Sequence, residues 1–214
     1  MAPEGRIILF PLLILAVVAG VALLWMPRIW LQGVAGLLWA LAGLSIIFFR
    51  DPVRQPPQDS LAVVAPADGK IVAIQRMEFD QHVGGEALQI SIFLSIFDVH
   101  VQRVPADGVV DSIRHQSGKF LAAFRPRAGE VNAQTITYMT GERAKFVVKQ
   151  IAGAVARRII SHLRTAERVA RGDRLGYIRF GSRVILIVPA DFQLKVVQGQ
   201  KVKGGVSVMG YFTP

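Results

Sequence analysis

Two patterns of hydrophobic and polar positions divide the 214-residue chain. From Ile7 to Leu24 every residue is apolar or glycine apart from one proline at position 11. From Ile29 to Phe49 a second apolar run is broken only by Gln32 and Ser45. Each run is close to the ~20 residues that carry a helix across a bilayer. A secretory signal has a shorter apolar core, a small-residue cleavage site and a polar mature chain behind it. Here a second apolar run follows at once. The pattern predicts a membrane-anchoring helical hairpin over 1–50, turning at "WMPRIW" (25–30), with Trp25 and Trp30 suited to an interface. One span, or a re-entrant hairpin, fits the same residues, because Arg28 is the only charge in the turn.

Beyond the proline-rich exit "FFRDPVRQPPQD" (48–59) the period changes. "LAVVAPADGKIVAIQ" (61–75) reads as strand, turn, strand. In "EALQISIFLSIFDVHVQRVPADG" (86–108), Leu88, Ile90, Ile92, Leu94 and Ile96 point one way, and Phe93 and Phe97 make the other face apolar too. That is the pattern of a sheet covered on both sides. Further strands are predicted at 134–140, 144–153, 174–180 and 183–189, and 153–163 reads as strand or short helix. No amphipathic helix of any length stands out past residue 50. "PADGKIVAI" (66–74) recurs as "PADGVVDSI" (105–113), and "VARGDRLGYIRFG" (169–181) resembles "VVQGQKVKGGVSVMG" (196–210). The shared V-x-x-G-(D/Q)-x-(V/L) is the hairpin rhythm of biotinyl/lipoyl-type barrels, in which glycine supplies positive φ. The expected fold over 51–214 is therefore mostly β, a compact barrel or sandwich with internal duplication.

Charge narrows the partners. The formal net charge is +10, of which Glu4, Arg6, Arg28 and Arg50 give residues 1–50 a share of +2, leaving +8 on 51–214. Arg50 and Arg54 directly follow the second apolar run, which places the β-rich domain on the cytoplasmic side of a cell (inner) membrane. A basic domain held there is attracted to anionic lipid. Nucleic acid is the rival partner for positive charge, but no basic helix or aromatic–basic alternation supports it. Without cysteine there are no disulfides or thiolate metal sites. The four histidines show neither HExxH nor HxH, so no metal is expected.

The candidate chemistry is individually weak. Ser182 in "RFGSRVILIVP" (179–189) lacks the strand-to-helix elbow of a serine hydrolase and reads locally as a turn serine. Asp68 and Asp107 each precede glycine, a hairpin-turn signal. His100 lies two residues after Asp98 on the same predicted strand, so a carboxylate would orient an imidazole able to act as acid or base. A purely structural histidine fits equally.

Taken in order, "FFRDPVRQPP", "VVAPADGKI", "SIFLSIFDVHVQRVPADG", "SGKFLAAF", "VVKQIAGAVARRI" and "IRFGSRVILIVP" resemble the short form of phosphatidylserine decarboxylase. The resemblance runs from about residue 48 to the C-terminus, and the apolar hairpin is similar to that family's anchor. It implies a proenzyme that cuts its own Gly181–Ser182 bond into a β chain, 1–181, and an α chain, 182–214, which remain together as a heterodimer, with a higher oligomer left open. It implies that Ser182 becomes a pyruvoyl group, which forms a Schiff base with phosphatidylserine and takes the electron-sink role of pyridoxal phosphate, so that neither that cofactor nor a metal is needed. Asp68 and Ser182 match the family's self-cleavage positions, and His100 is the histidine available for cleavage and for protonation after CO2 leaves. Arg103 stands where longer members carry a second histidine. Lys119 and Arg103 are candidate headgroup ligands by charge type. The basic "LAAFRPRAGEVNAQ" (121–134) replaces an acidic, asparagine-rich loop of short relatives. Two other readings stay open: a non-enzymatic lipoyl-like membrane adaptor, which lacks a lysine-tipped hairpin, and a membrane-bound serine hydrolase using Ser182, His100 and an aspartate.

Overall fold

A computed structural model of the chain describes residues 1–125, 127–154, 158–178 and 181–213. It divides into two units, Met1–Pro52 and Val53–Pro214.

The first unit is a pair of helices, α1 (Pro3–Trp25) and α2 (Ile29–Phe48). Both are long and apolar enough to cross a membrane. Ala16, Ala19, Ala35 and Ala42 are buried, alongside Leu9 and Phe48 toward one end, while Ile7, Phe10, Ile14, Val18, Leu24 and Trp30 are exposed. Small residues inside and bulky apolar residues outside is the arrangement of helices packed in lipid, where the tails provide no reason to hide leucine. Pro11 sits inside α1, a position tolerated in spanning helices.

The second unit is built of strands. In chain order they are β1 (Ala62–Val64), β2 (Gly69–Asp80), β3 (Gly85–Leu94), β4 (Val101–Arg103) and β5 (Gly108–Gln116). A single turn of helix, α3 (Ala128–Val131), precedes β6 (Gln134–Gly141) and β7 (Lys145–Ile151). There follow β8 (Ile159–Ser161), β9 (Arg168–Val169), β10 (Arg174–Ile178), β11 (Ser182–Pro189), β12 (Gln193–Leu194), β13 (Lys201–Val202) and β14 (Val208–Tyr211). Eight of them form one curled antiparallel sheet in the order β13-β2-β3-β11-β7-β6-β5-β9. Two three-stranded sheets, β1-β14-β12 and β4-β10-β8, complete the described strands.

The main core includes Ile90, Ile92 and Leu94 of β3, Val184, Leu186 and Val188 of β11, and Val63, Leu175 and Met209 of the small sheets. Ile185 and Ile187 of β11 join a second cluster with Ile136, Val147 and Ile151 on the other face of the large sheet. The unbroken run 184–188 is explained by this: β11 is central and apolar on both sides, so alternation brings no polar residue. Each such side chain contributes about 1.5–3 kcal/mol on burial, which makes β11 a rigid strip.

The duplication is visible in the hydrogen bonds. Val64 N–H donates to the Pro105 carbonyl at 2.9 Å and Arg103 N–H donates to the Pro66 carbonyl at 2.8 Å, a reciprocal exchange between the two PADG segments. Gly172 and Gly199, matched in the second repeat, have φ of 89° and 92°. Ala170 N–H donates to Asp173 and Val197 N–H to Gln200, again as equivalents.

Two expectations need correction. Neither PADG is a hairpin: β1 pairs with β14 and β2 with β3 and β13, whereas β4 pairs with β10 and β5 with β6 and β9. Asp68 and Asp107 accept backbone N–H groups from distant segments, those of Gly204 at 2.8 Å and Arg171 at 2.6 Å. They pin chain crossings. Second, the alternating strand stops at Leu94; Ile96 and Phe97 lie in a turn, 49% and 67% exposed. The cause is Asp98, whose carboxylate accepts from the Ser95 N–H (2.8 Å) and hydroxyl (2.7 Å) and closes the turn. The predicted strand 174–180 is present as β10 to Ile178, with 179–180 outside the described residues, as are 155–157 of the 153–163 segment, in which 159–161 is strand.

Candidate active site

Ser182 is the first residue of β11, paired with Leu94 of β3. Side chains alternate along a strand, so Ser182 points with Val184 into the main core and Arg183 to the other face. Ser182 is 0% exposed and its Oγ has no hydrogen-bond partner. A buried hydroxyl left unsatisfied costs about 1–3 kcal/mol. A serine at a plain turn would avoid that cost by reaching water or a backbone group.

Gly181 precedes it with φ +58°. A β-carbon built there would meet nothing within 4 Å. The backbone conformation, not crowding, is therefore what requires glycine.

His100 is also 0% exposed. Its Nδ1 lies 2.9 Å from the Asp98 carbonyl oxygen. A carbonyl only accepts, so Nδ1 carries a proton and Nε2 is the nitrogen left to act as a base. The Asp98 carboxylate does not orient the ring as expected, being committed to Ser95. The histidine backbone is held firmly instead. Its carbonyl accepts from Gln102 Nε2 at 2.7 Å and from the Ile178 N–H at 3.4 Å, and Gln102 accepts from Gln150 Nε2 at 3.0 Å. All three side chains, His100, Gln102 and Gln150, are 0% exposed. This buried network ties His100 to Ile178, the last residue of β10. The two glutamines are missed by sequence reading; their only signal is a polar residue where a strand runs into the core.

Asp68 is buried at the start of β2. Its carboxylate forms a two-pronged ion pair with Arg54, through Nη1 and, at 2.8 Å, Nη2, and accepts from the Gly204 N–H. Lys70, two residues on, is opposite Phe93, the neighbour of Leu94. Asp68 therefore lies two strand spacings from Ser182, about 10 Å across the sheet. Ser182 and Asp68 share one end of the β2-β3-β11 region, and no hydrogen bond of the described structure links the Ser182 hydroxyl to His100 or to Asp68.

The two candidate headgroup ligands are elsewhere. Arg103 donates from Nη1 to the Gly172 carbonyl at 3.2 Å and lays its stem along Gly205. Lys119 bridges to Asn132 and lines a cavity of about 450 Å3 with Leu121, Arg125, Arg127 and Val131. Ser182, His100 and Asp68 do not line that cavity.

Comparison with known proteins identifies the family. Residues 41–210 match the model of the phosphatidylserine decarboxylase family. The chain is 44% identical over 194 residues to a phosphatidylserine decarboxylase proenzyme of Salinibacter ruber, covering 87% of this chain and 84% of the relative. It is 43% identical over 169 residues to that of Desulfotalea psychrophila (78% of each) and 40% identical over 197 residues to that of Magnetococcus marinus (92% and 90%). With matches of this extent in both directions, the chain belongs to the phosphatidylserine decarboxylase family.

Proposed function

We propose that the chain is a self-processing, membrane-anchored decarboxylase that converts phosphatidylserine to phosphatidylethanolamine and CO2 using a pyruvoyl group made from Ser182. The observation that carries the reading is the Ser182 hydroxyl, fully buried, without a hydrogen-bond partner, and directly after a glycine at φ +58°. The relatives' shared description as proenzymes supports it.

Processing uses only this chain. The Ser182 oxygen attacks the Gly181 carbonyl carbon and the amide nitrogen leaves, giving an ester and a free amine. Loss of the Ser182 α-proton and of the glycyl carboxylate leaves a dehydroalanine, whose imine tautomer takes up water and releases ammonia. Serine is a weak nucleophile and an amide a poor electrophile, so enforced proximity and an adjacent base must supply the rate. We assign that base to His100, whose Nδ1 is engaged by the Asp98 carbonyl and whose Nε2 is left as the basic nitrogen. Asp68 acts at longer range, with Arg54, by fixing the end of β2. The resulting ketone supplies an electron sink for loss of CO2 from the serine headgroup. His100 holds the proton to be returned to the α-carbon, and the apolar surroundings of Val184 and Leu94 exclude water.

After the cut, the 182–214 chain keeps its place. β11 pairs with β3 from Ser182 to Pro189 and with β7 from Arg183 to Ile187, and β13 and β14 remain in their sheets. This supports a heterodimer held by ladder and core. The two apolar helices, with Arg50 and Arg54 following them, support an inner-membrane anchor and a cytoplasmic β domain.

Denaturing electrophoresis and intact mass of the purified chain test the reading. Two chains split after Gly181 are expected, the smaller lighter than its sequence by one ammonia and blocked at its N-terminus. A single intact chain that releases CO2 from phosphatidylserine would overturn it.

A further inference from the structure

On the face of the large sheet opposite Ser182 there is a cavity of about 610 Å3. Arg183 lies at its base, with Lys149 and Gln134 from β7 and β6 and Arg127 and Glu130 from the segment above. Arg183 is only 6% exposed. One of its nitrogens donates to the Arg125 carbonyl at 3.2 Å, its Nε has no partner, and no carboxylate among the described residues pairs with it. An ionised group buried in this way is costly unless a counter-charge meets it. Desolvation lowers the Arg183 pKa, the direction expected for a cation waiting for such a partner. The amide oxygen of Gln134 is likewise buried without a partner. Three cations face one carboxylate around this space.

We propose that the cavity is a binding site for a phosphate-bearing anion, gripped by the Arg183 guanidinium with Lys149 and Arg127 in support. A guanidinium offers a planar fork that matches two phosphate oxygens, and lysine adds a mobile point charge. Arg183 is the residue after Ser182, so the site is coupled to the start of β11 through the backbone. The phosphate comes either from a lipid headgroup, as a phosphodiester, or from solution, as free phosphate. The inference rests on the decarboxylase reading only in naming that first source.

The test uses the full-length Ser182→Ala chain in uncharged detergent, where neither cleavage nor turnover intervenes. Failure of the cavity is thus separate from failure of self-processing, which the unsubstituted chain reports. Calorimetric titrations are made with inorganic phosphate, glycerophosphoserine and dihexanoyl phosphatidylserine. Binding of at least one is expected, and adding Arg183→Gln should weaken it about tenfold to a hundredfold, the range for one charged hydrogen-bonding group. Lys149→Gln should weaken it less. Equal affinity for all three assigns the site to phosphate itself; preference for the two headgroup compounds assigns it to lipid. Without ligand, Arg183→Gln should raise the melting temperature, because an uncompensated buried charge is removed. Binding of none of the three ligands, or binding unaltered in both Arg183→Gln and Lys149→Gln, would overturn the proposal. So would an Arg183→Gln chain that melts earlier and binds as before.

Discussion

Replacing Gly181 separates backbone geometry from side-chain bulk at the bond proposed to be cut. The residue sits at φ +58° in open space, with nothing within 4 Å of the point a β-carbon would occupy. Alanine there loses about 1–2 kcal/mol relative to glycine in the left-handed region, and asparagine loses less because its amide bonds locally. Valine is worse than alanine, since a β-branched side chain is a true outlier at positive φ. The open surroundings let each variant relieve the strain by leaving that region, which turns the carbonyl away from the serine oxygen. If attack needs the observed conformation, about 1–2 kcal/mol of population shift slows cleavage about 5-fold to 30-fold for Gly181→Ala. The melting temperature should fall by no more than about 2–8 °C, the equivalent for a domain of this size. Pulse-chase synthesis followed by intact mass gives the rate directly. The expected order is glycine, asparagine, alanine, valine, fastest to slowest. Alanine cleaving as fast as glycine, or slower asparagine than alanine, would refute the claim that the left-handed conformation presents the bond.

Ser182→Ala should give one uncut chain with no CO2 release, read by intact mass and by CO2 evolution; a chain still split after Gly181 would refute the role given to its hydroxyl. His100→Ala, assayed on whatever fraction is processed, should release CO2 about 100-fold to 10,000-fold more slowly, the usual contribution of a positioned acid or base; normal turnover would remove His100 from the mechanism. Arg54→Met should cost about 3 kcal/mol in urea denaturation, since it strands the Asp68 carboxylate where both side chains are only 11–12% exposed. The double change with Asp68→Ala should recover part of that loss, and a simple sum of the two single effects would show that the pair is not coupled.

The sequence is legible wherever local chemistry decides the structure. The run 184–188 announces a strand covered on both faces, and the packing on Ile90 to one side and Ile151 to the other delivers it. The two apolar runs announce α1 and α2 by length alone. Pairing is another matter. Asp-Gly signals a local hairpin, but the two aspartates bond to groups 136 and 64 positions away, and no neighbour in sequence hints at that. Asp98 reads as a partner for His100 because spacing by two shares a face on a strand. A serine three residues earlier claims its carboxylate and ends the strand. Arg54, in a proline-rich exit, and Arg183, beside the Gly-Ser pair, read as flanking charges. Only the fold buries one against Asp68 and the other over a cavity.

On the proposed reading, the repeat also accounts for where the break falls. The large sheet reads as two four-strand halves, β13-β2-β3-β11 and β9-β5-β6-β7, meeting at β11 and β7. In the second half, Gly108 opposite Gly141 and Thr140 opposite Lys145 set a register that matches Phe93 opposite Arg183 in the first. There β6 and β7 are joined by a tight turn, with the Gly141 N–H donating to the Ala144 carbonyl at 2.9 Å. In the first half the equivalent strands, β3 and β11, are joined by everything from 95 to 181, including His100 and the whole second half. Ser182 stands at the position of Ala144, at the mouth of a hairpin whose loop has been opened. A hairpin closed by a short turn has no room for a base beside its turn peptide. An opened one does, and the segment that opens it carries His100. For the same reason cutting costs little structure, because β11 is held by β3 and β7 across their ladders and not by the bond that precedes it. The duplication thus provides the frame twice and the chemistry once, in the half where the strands were already joined at a distance.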